Sequence, residues 1–185
     1  MSVSDSRTRL PQREGTSQAV TRPGTSAPRR VQHDPAAQPG SGHAKNAAFI
    51  VDNSVWARLS TTPVVKAAFE TVVSRYSPRA IMICAPVVAE VGFSARNGED
   101  HTKLMKSLGA FPDCPVAPTS LEVLNIQNAL WTGGLVRSVG AMDALIAAYA
   151  MANDAAVLHL DSDFDYVAEV VPTFKHRWIV PRGSI

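Results

Sequence analysis

The chain has 185 residues, 45% of them hydrophobic, which is enough to fill the core of one ordinary domain with something appended. Its net charge of +2 is unevenly placed: residues 1–46 hold seven Lys/Arg against three Asp/Glu, about +4, and leave residues 47–185 at about −2. The basic balance therefore belongs to the N-terminal segment, and the remainder does not offer a basic catalytic surface.

Residues 1–46 are rich in Ser, Thr, Pro, Gly, Gln and Arg, with sparse apolar residues of no period. Such a segment cannot bury enough surface to offset its ordering entropy and is expected to be a disordered tail. A plainer alternative is that translation starts downstream of it. It lacks the apolar stretch of a secretory signal, and its five prolines oppose an amphipathic targeting helix. No run of apolar residues is long enough to span a membrane. Cys84 and Cys114 are too few and too far apart for a zinc cluster, and they suit a reduced, cytoplasmic protein in which both are small core residues.

The texture changes at Ala47. Ala48 to Val51 reads as a short buried strand that exits into Asp52-Asn53-Ser54. Residues 55–59 look helical, and Pro63 starts a helix to about Tyr76 with Val64, Ala68, Val72 and Val73 on one face. Pro78 ends it, and residues 80–84 form a second buried strand. Pro86 opens a helix through Glu90 to about Arg96; another short helix covers 101–109, and a brief third strand includes Val116. Thr119 or Ser120 caps a helix to Trp131 that Gly133-Gly134 closes, and Ser138 caps an alanine-rich helix over 139–153. Residues 156–160 form a fourth strand, a helix follows Asp161-Ser162-Asp163-Phe164 to about Val170, and residues 178–180 are a last strand.

Strands alternating with helices make the class α/β with a mostly parallel sheet. Sites in such sheets form beyond the carboxyl ends of the strands, where Asp52 and Asp161 fall. Four acids stand out: Asp52 after the first strand, Glu90 one turn into the helix after the second, Asp143 early in the alanine-rich helix, and Asp161 after the fourth strand with Asp163 two residues on. Gathered at one end of a sheet, they would repel one another unless a hard divalent cation such as Mg²⁺ or Mn²⁺, which takes oxygen ligands, lay among them. Singly, each has a commoner reading: a turn former, a helix cap or a solvated helix residue. His159 shares a strand face with Asp161 but suits a structural role, and Trp56 and Trp131 suit packing or an interface rather than base stacking. Arg137 could meet phosphate or a protein partner, or form a surface ion pair.

Read as text, Phe-Ile-Val-Asp-Asn-Ser-Val-Trp (49–56), Ala-Pro-Val-Val-Ala-Glu-Val (85–91), Arg-Ser-Val-Gly-Ala-Met-Asp-Ala-Leu-Ile-Ala-Ala (137–148), Leu-His-Leu-Asp-Ser-Asp-Phe (158–164) and Trp-Ile-Val-Pro-Arg-Gly-Ser (178–184) resemble, in order, the motifs of the PIN domain family, specifically its VapC-type toxins. The resemblance covers residues 47–185. It implies a five-stranded parallel sheet in order 3-2-1-4-5 with helices on both faces, and a Mg²⁺- or Mn²⁺-dependent endoribonuclease that leaves 5′-phosphate and 3′-hydroxyl ends. Carried over by position, Asp52, Glu90, Asp143 and Asp161 match the catalytic, metal-binding acids. Ser54 matches the residue supporting the first Asp, though it could equally cap the following helix, and Asp163 could share or replace the role of Asp161. The resemblance further implies a homodimer restrained by a VapB-type antitoxin, and Val65, Leu104 and Leu130 are expected on outer helix faces as interface candidates. A catalytically inactive PIN module for RNA binding or protein assembly is the main alternative. A phosphotransfer protein fits poorly, because Asp52-Asn53-Ser54 lacks a second Asp and phosphate-cradling glycine loops are absent.

Overall fold

A computed structural model describes residues 47–185; the tail over 1–46 lies outside the described residues. The elements run β1 (Phe49–Val51), α1 (Asn53–Trp56), α2 (Pro63–Tyr76), a 3-10 turn (Pro78–Ala80), β2 (Ile81–Met82), α3 (Ala85–Phe93), α4 (Gly98–Leu108), α5 (Ser120–Thr132), α6 (Ala141–Ala152), β3 (Ala156–His159), α7 (Asp163–Val170) and β4 (Lys175–Trp178). The sheet order is β2-β1-β3-β4, and every pairing is parallel. No described helix is long and apolar enough to cross a membrane.

Four strands form among the described residues where five were expected. The segment expected as a third strand contributes one parallel bridge, Asp113 to Ile83, with Ile83 N–H donating to Pro112 and Cys114 N–H donating to Ile83. Pro112 and Pro115 lack the N–H groups a longer ladder would need. Counting that bridge, the spatial order is the expected one. The last strand lies three residues earlier than its apolar run suggested. Lys175–Trp178 alternates exposed and half-buried positions, as an edge strand does, and its register is fixed by pairing with Ala156–His159.

Strands β1, β2 and β3 divide their side chains between two cores. Phe49, Val51, Ile81 and Leu158 pack with Val65, Phe69 and Val72 of α2 on one face. Ile50 and Val157 pack on the other, against α3, α5, α6 and α7 through Val87, Val91, Ile126, Ile146, Ala147 and Phe164. The buried face of α2 is thus Val65, Phe69 and Val72, spaced i, i+4, i+7, while Val64 is exposed. Val65 and Leu130, expected on outer faces, are core residues, and Leu104 packs half-buried against the core. The most exposed large apolar residues are Phe93 on α3 and Leu121, Leu124 and Trp131 on α5.

Helix α5 starts with a reciprocal cap, in which the Thr119 hydroxyl accepts from Glu122 N–H and the Glu122 carboxylate accepts from Thr119 N–H. The N-cap of helix α6 is Gly140 rather than Ser138. Its small residues Ala144, Ala147, Ala148 and Ala150 are buried and let it lie close to the sheet. Cys84 is buried and Cys114 half-buried, both as free thiols.

Candidate active site

Beyond the carboxyl ends of β1 and β3 the chain turns sharply into helices, and these turns carry the acids. Asp52 leaves β1 with its N–H donating to Leu158 of β3 at 2.9 Å. It is the N-cap of α1: its Oδ2 accepts from Ser54 N–H at 2.7 Å. Ser54 therefore does not cap the helix. Its hydroxyl lies close enough to the Asp52 carboxylate to favour the charged form, and it accepts from Leu160 N–H at 3.0 Å, tying the exit of β1 to the exit of β3. Asn53 keeps its side-chain oxygen buried without a partner beside this turn.

From β3 the chain passes through Asp161, whose Oδ1 accepts from Asp163 N–H at 3.1 Å at the start of α7. The Asp163 Oδ2 in turn accepts from Gly140 N–H at 3.1 Å, which docks the start of α6 against that of α7. Asp143, in the first turn of α6, folds back over Gly140: a Cβ built there would stand 2.5 Å from Asp143 Oδ2. Glycine leaves the Asp143 carboxylate in this position by allowing close approach, not by its backbone conformation, since its φ is −67°. Glu90 reaches the cluster from α3.

The acids lie in one another's fields. Asp52 is 3% exposed, and burial, with Asp161 nearby, raises its carboxyl above the ordinary range against the lowering effect of its bonds to Ser54 and Asn53. Burial and the charges of Asp52, Asp163, Glu90 and Asp161 push Asp143 up to about 7. Glu90 is raised by burial and then by Asp52 and Asp161. Asp163 is raised by burial and by Asp161 and Asp52, against its bond from Gly140. Like charges close to one another disfavour ionisation, and no cationic side chain is among the causes that act on these four. All the acids singled out in the sequence thus meet at one end of the sheet.

Gly140 is the residue of this cluster that sequence reasoning overlooked. The available signal was a glycine three residues ahead of Asp143 at a helix start. His159 does not face the cluster; it is fully buried, with its ring against Phe164 and Trp178. Trp56 is a packing residue between Phe69 and Phe111, its Nε1 donating to Val51 at 2.8 Å, whereas Trp131 is exposed.

The family model of the PIN domain matches residues 49–170. Ribonuclease VapC51 of Mycobacterium tuberculosis is 36% identical over 138 residues, which cover 74% of this chain and 96% of that protein. Ribonuclease VapC18 of the same organism is 33% identical over 142 residues, covering 74% and 98%. Among solved structures, VapBC2 from Rickettsia felis, bound to a DNA fragment from their promoter, aligns with a TM-score of 0.56 at 16% identity over 71% of this chain and 98% of the matched one, a likeness of fold. With the motif order, the sheet and the acid cluster in agreement, the chain belongs to the PIN domain family, among its VapC-type members.

Proposed function

We propose that this chain is a divalent-metal-dependent endoribonuclease, the toxin of a toxin–antitoxin pair, with Asp52, Glu90, Asp143 and Asp161 as its catalytic and metal-binding residues and Ser54 and Asp163 in support. The observation that carries the reading is the meeting of Asp52, Glu90, Asp143 and Asp163 at one end of the sheet, raised by burial and then by neighbouring carboxylates, with Asp143 at about 7. A fold keeps such repulsion where something else relieves it. An all-carboxylate donor set fits a hard cation, Mg²⁺ or Mn²⁺, better than a soft one. Asp52 and Asp143 would hold it, with Glu90 and Asp161 binding directly or through water. The cation, when bound, lowers the pKa of a coordinated water and neutralises charge developing on the phosphodiester.

The rest falls to the chain itself. Ser54 and the start of α1 hold the Asp52 carboxylate in one orientation, so its oxygens need no reorganisation. Asp163, bound to Gly140, keeps α6 and α7 at a fixed spacing and so positions Asp143 relative to Asp161. The proton on Asp143 must leave before a cation enters, so metal affinity should strengthen as pH rises through about 7. The relatives' names point to RNA as the substrate. A homodimer and a VapB-type antitoxin are the proposed partners. The apolar residues Leu121, Leu124 and Trp131, which follow i, i+3, i+10 along exposed α5, are candidate contact points.

The test is cleavage of a mixed RNA substrate by the purified chain with Mg²⁺ or Mn²⁺ and with excess EDTA. Cleavage should need the metal, and Asp52→Asn and Asp143→Asn should each lower it by about a hundredfold or more while far-UV circular dichroism stays unchanged. Undiminished cleavage in EDTA would sink the proposal.

A further inference from the structure

Away from the carboxylate cluster, three metal-ligating side chains converge where β3, β4 and α7 meet. His159 of β3 and His176 of β4 bring Nε2 and Nδ1 to 2.9 Å. Asp165 of α7 places its Oδ1 3.6 Å from the same His176 nitrogen. The three ligand atoms all lie within 4.8 Å of one another, and no other group of three His, Cys, Asp or Glu among the described residues is gathered so tightly. His159 is fully buried, while His176 and Asp165 are half-buried and open a path to solvent.

The protons do not suffice for the acceptors. Asp161 N–H points at His159 Nδ1 at 3.3 Å, which places the His159 proton on Nε2. That proton fills the gap to His176 Nδ1, and nothing lies between Nδ1 and the Asp165 oxygen. Asp165 has donors of its own, Trp178 Nε1 to Oδ1 at 2.8 Å and Arg182 Nη1 to Oδ2 at 3.0 Å, but each leaves a carboxylate lone pair over. Two imidazoles and a carboxylate are the donor set that zinc-class ions accept, whereas Mg²⁺ and Mn²⁺ favour oxygen alone.

We propose that His159 Nε2, His176 Nδ1 and Asp165 Oδ1 form a second metal site, for a first-row transition cation of the zinc class, which staples the edge strand β4 to β3 and α7. A solvent molecule completes the tetrahedron. In that geometry nitrogen ligands stand about 3.3 Å apart, so the two rings separate by roughly 0.4 Å. The His159 proton moves from Nε2 to Nδ1, the long contact from Asp161 N–H is given up, and no net proton is released. The site is independent of the carboxylate cluster in donor chemistry and does not rest on the nuclease reading.

Co²⁺ is the probe, added to the purified full chain with Mg²⁺ in excess. One equivalent should bind with the visible absorption of a four- or five-coordinate nitrogen–oxygen site, and Zn²⁺ should displace it. His176→Gln should abolish the band and Asp143→Asn should keep it. Asp165→Asn should weaken it and serves if His176→Gln fails to fold. The absence of a band at saturating Co²⁺, or a band that survives both His176→Gln and Asp165→Asn, overturns the site.

Discussion

Asp143 and Asp165 occupy the same place in consecutive helices, the third residue of α6 and of α7, where a helix dipole favours a negative charge. Their neighbours are opposite. Around Asp143 stand Asp52, Asp163, Glu90 and Asp161, which, after burial, raise it to about 7. Around Asp165 stand two donors, Trp178 Nε1 at 2.8 Å and Arg182 Nη1 at 3.0 Å. One carboxylate is therefore a source of local instability and the other a local tie. Helix position contributes to both alike, and tertiary neighbours decide the sign.

The comparison can be broken at the spacing of the repulsive corner. Gly140→Ala puts a methyl group where Asp143 Oδ2 lies at 2.5 Å, so the carboxylate must swing away while α6 keeps its helical backbone. RNA cleavage should fall by about 10- to 100-fold with little change in Tm, as expected for a misplaced group at a reacting centre. Full activity would show that the close approach is incidental.

Asp165→Ala tests the other corner. It leaves the half-buried Trp178 Nε1 without its acceptor and should lower stability by about 1–3 kcal/mol in urea denaturation. Its direction should oppose that of Asp143→Asn measured without metal, which removes repulsion. Two destabilising results of equal size would erase the distinction drawn between the corners.

A third test is the pH dependence of that second difference. A carboxyl raised in the folded state, from the model-peptide 3.8 to about 7 for Asp143, favours folding fully below the lower value and loses that contribution as pH rises through the upper one. Asp143→Asn has no such loss. In EDTA its Tm should gain on the wild type between about pH 4 and about pH 7 and run parallel above that. Taking the difference removes the histidines, whose lowered values act in the reverse direction on both proteins.

Much of this was legible in the sequence because it rests on local patterns. The run Phe49–Val51 ending at Asp52, the prolines at 63, 78 and 86, and the alanines of α6 fix strand, helix and packing with little help from afar. The acids that meet were all marked in advance by their places after strands and at helix starts. What failed was what depends on partners. Lys175–Trp178 has no apolar run to announce it and becomes a strand because β3 offers a ladder. Val65 and Leu130 turned inward because the helix phase is set by the sheet beneath. Gly140 was passed over because its reason is an oxygen 2.5 Å from where its side chain would be, and His159, Asp165 and His176 come together only through the pairing of β3 with β4.

The bond from Leu160 N–H to the Ser54 hydroxyl spans 106 residues of sequence. While the chain is being made, β1 leaves the ribosome first and waits for the partner that completes its end. At about 5–20 residues per second, that interval is on the order of 5–20 seconds. During it Asp52 has neither the backbone tie to Leu158 nor the neighbours Asp143 and Asp161, so the corner that defines the site has no early, half-built form. Sequence separation thus acts as a timer: the cluster closes only after β3 has been made, when most of the elements that surround it are available to fold around it.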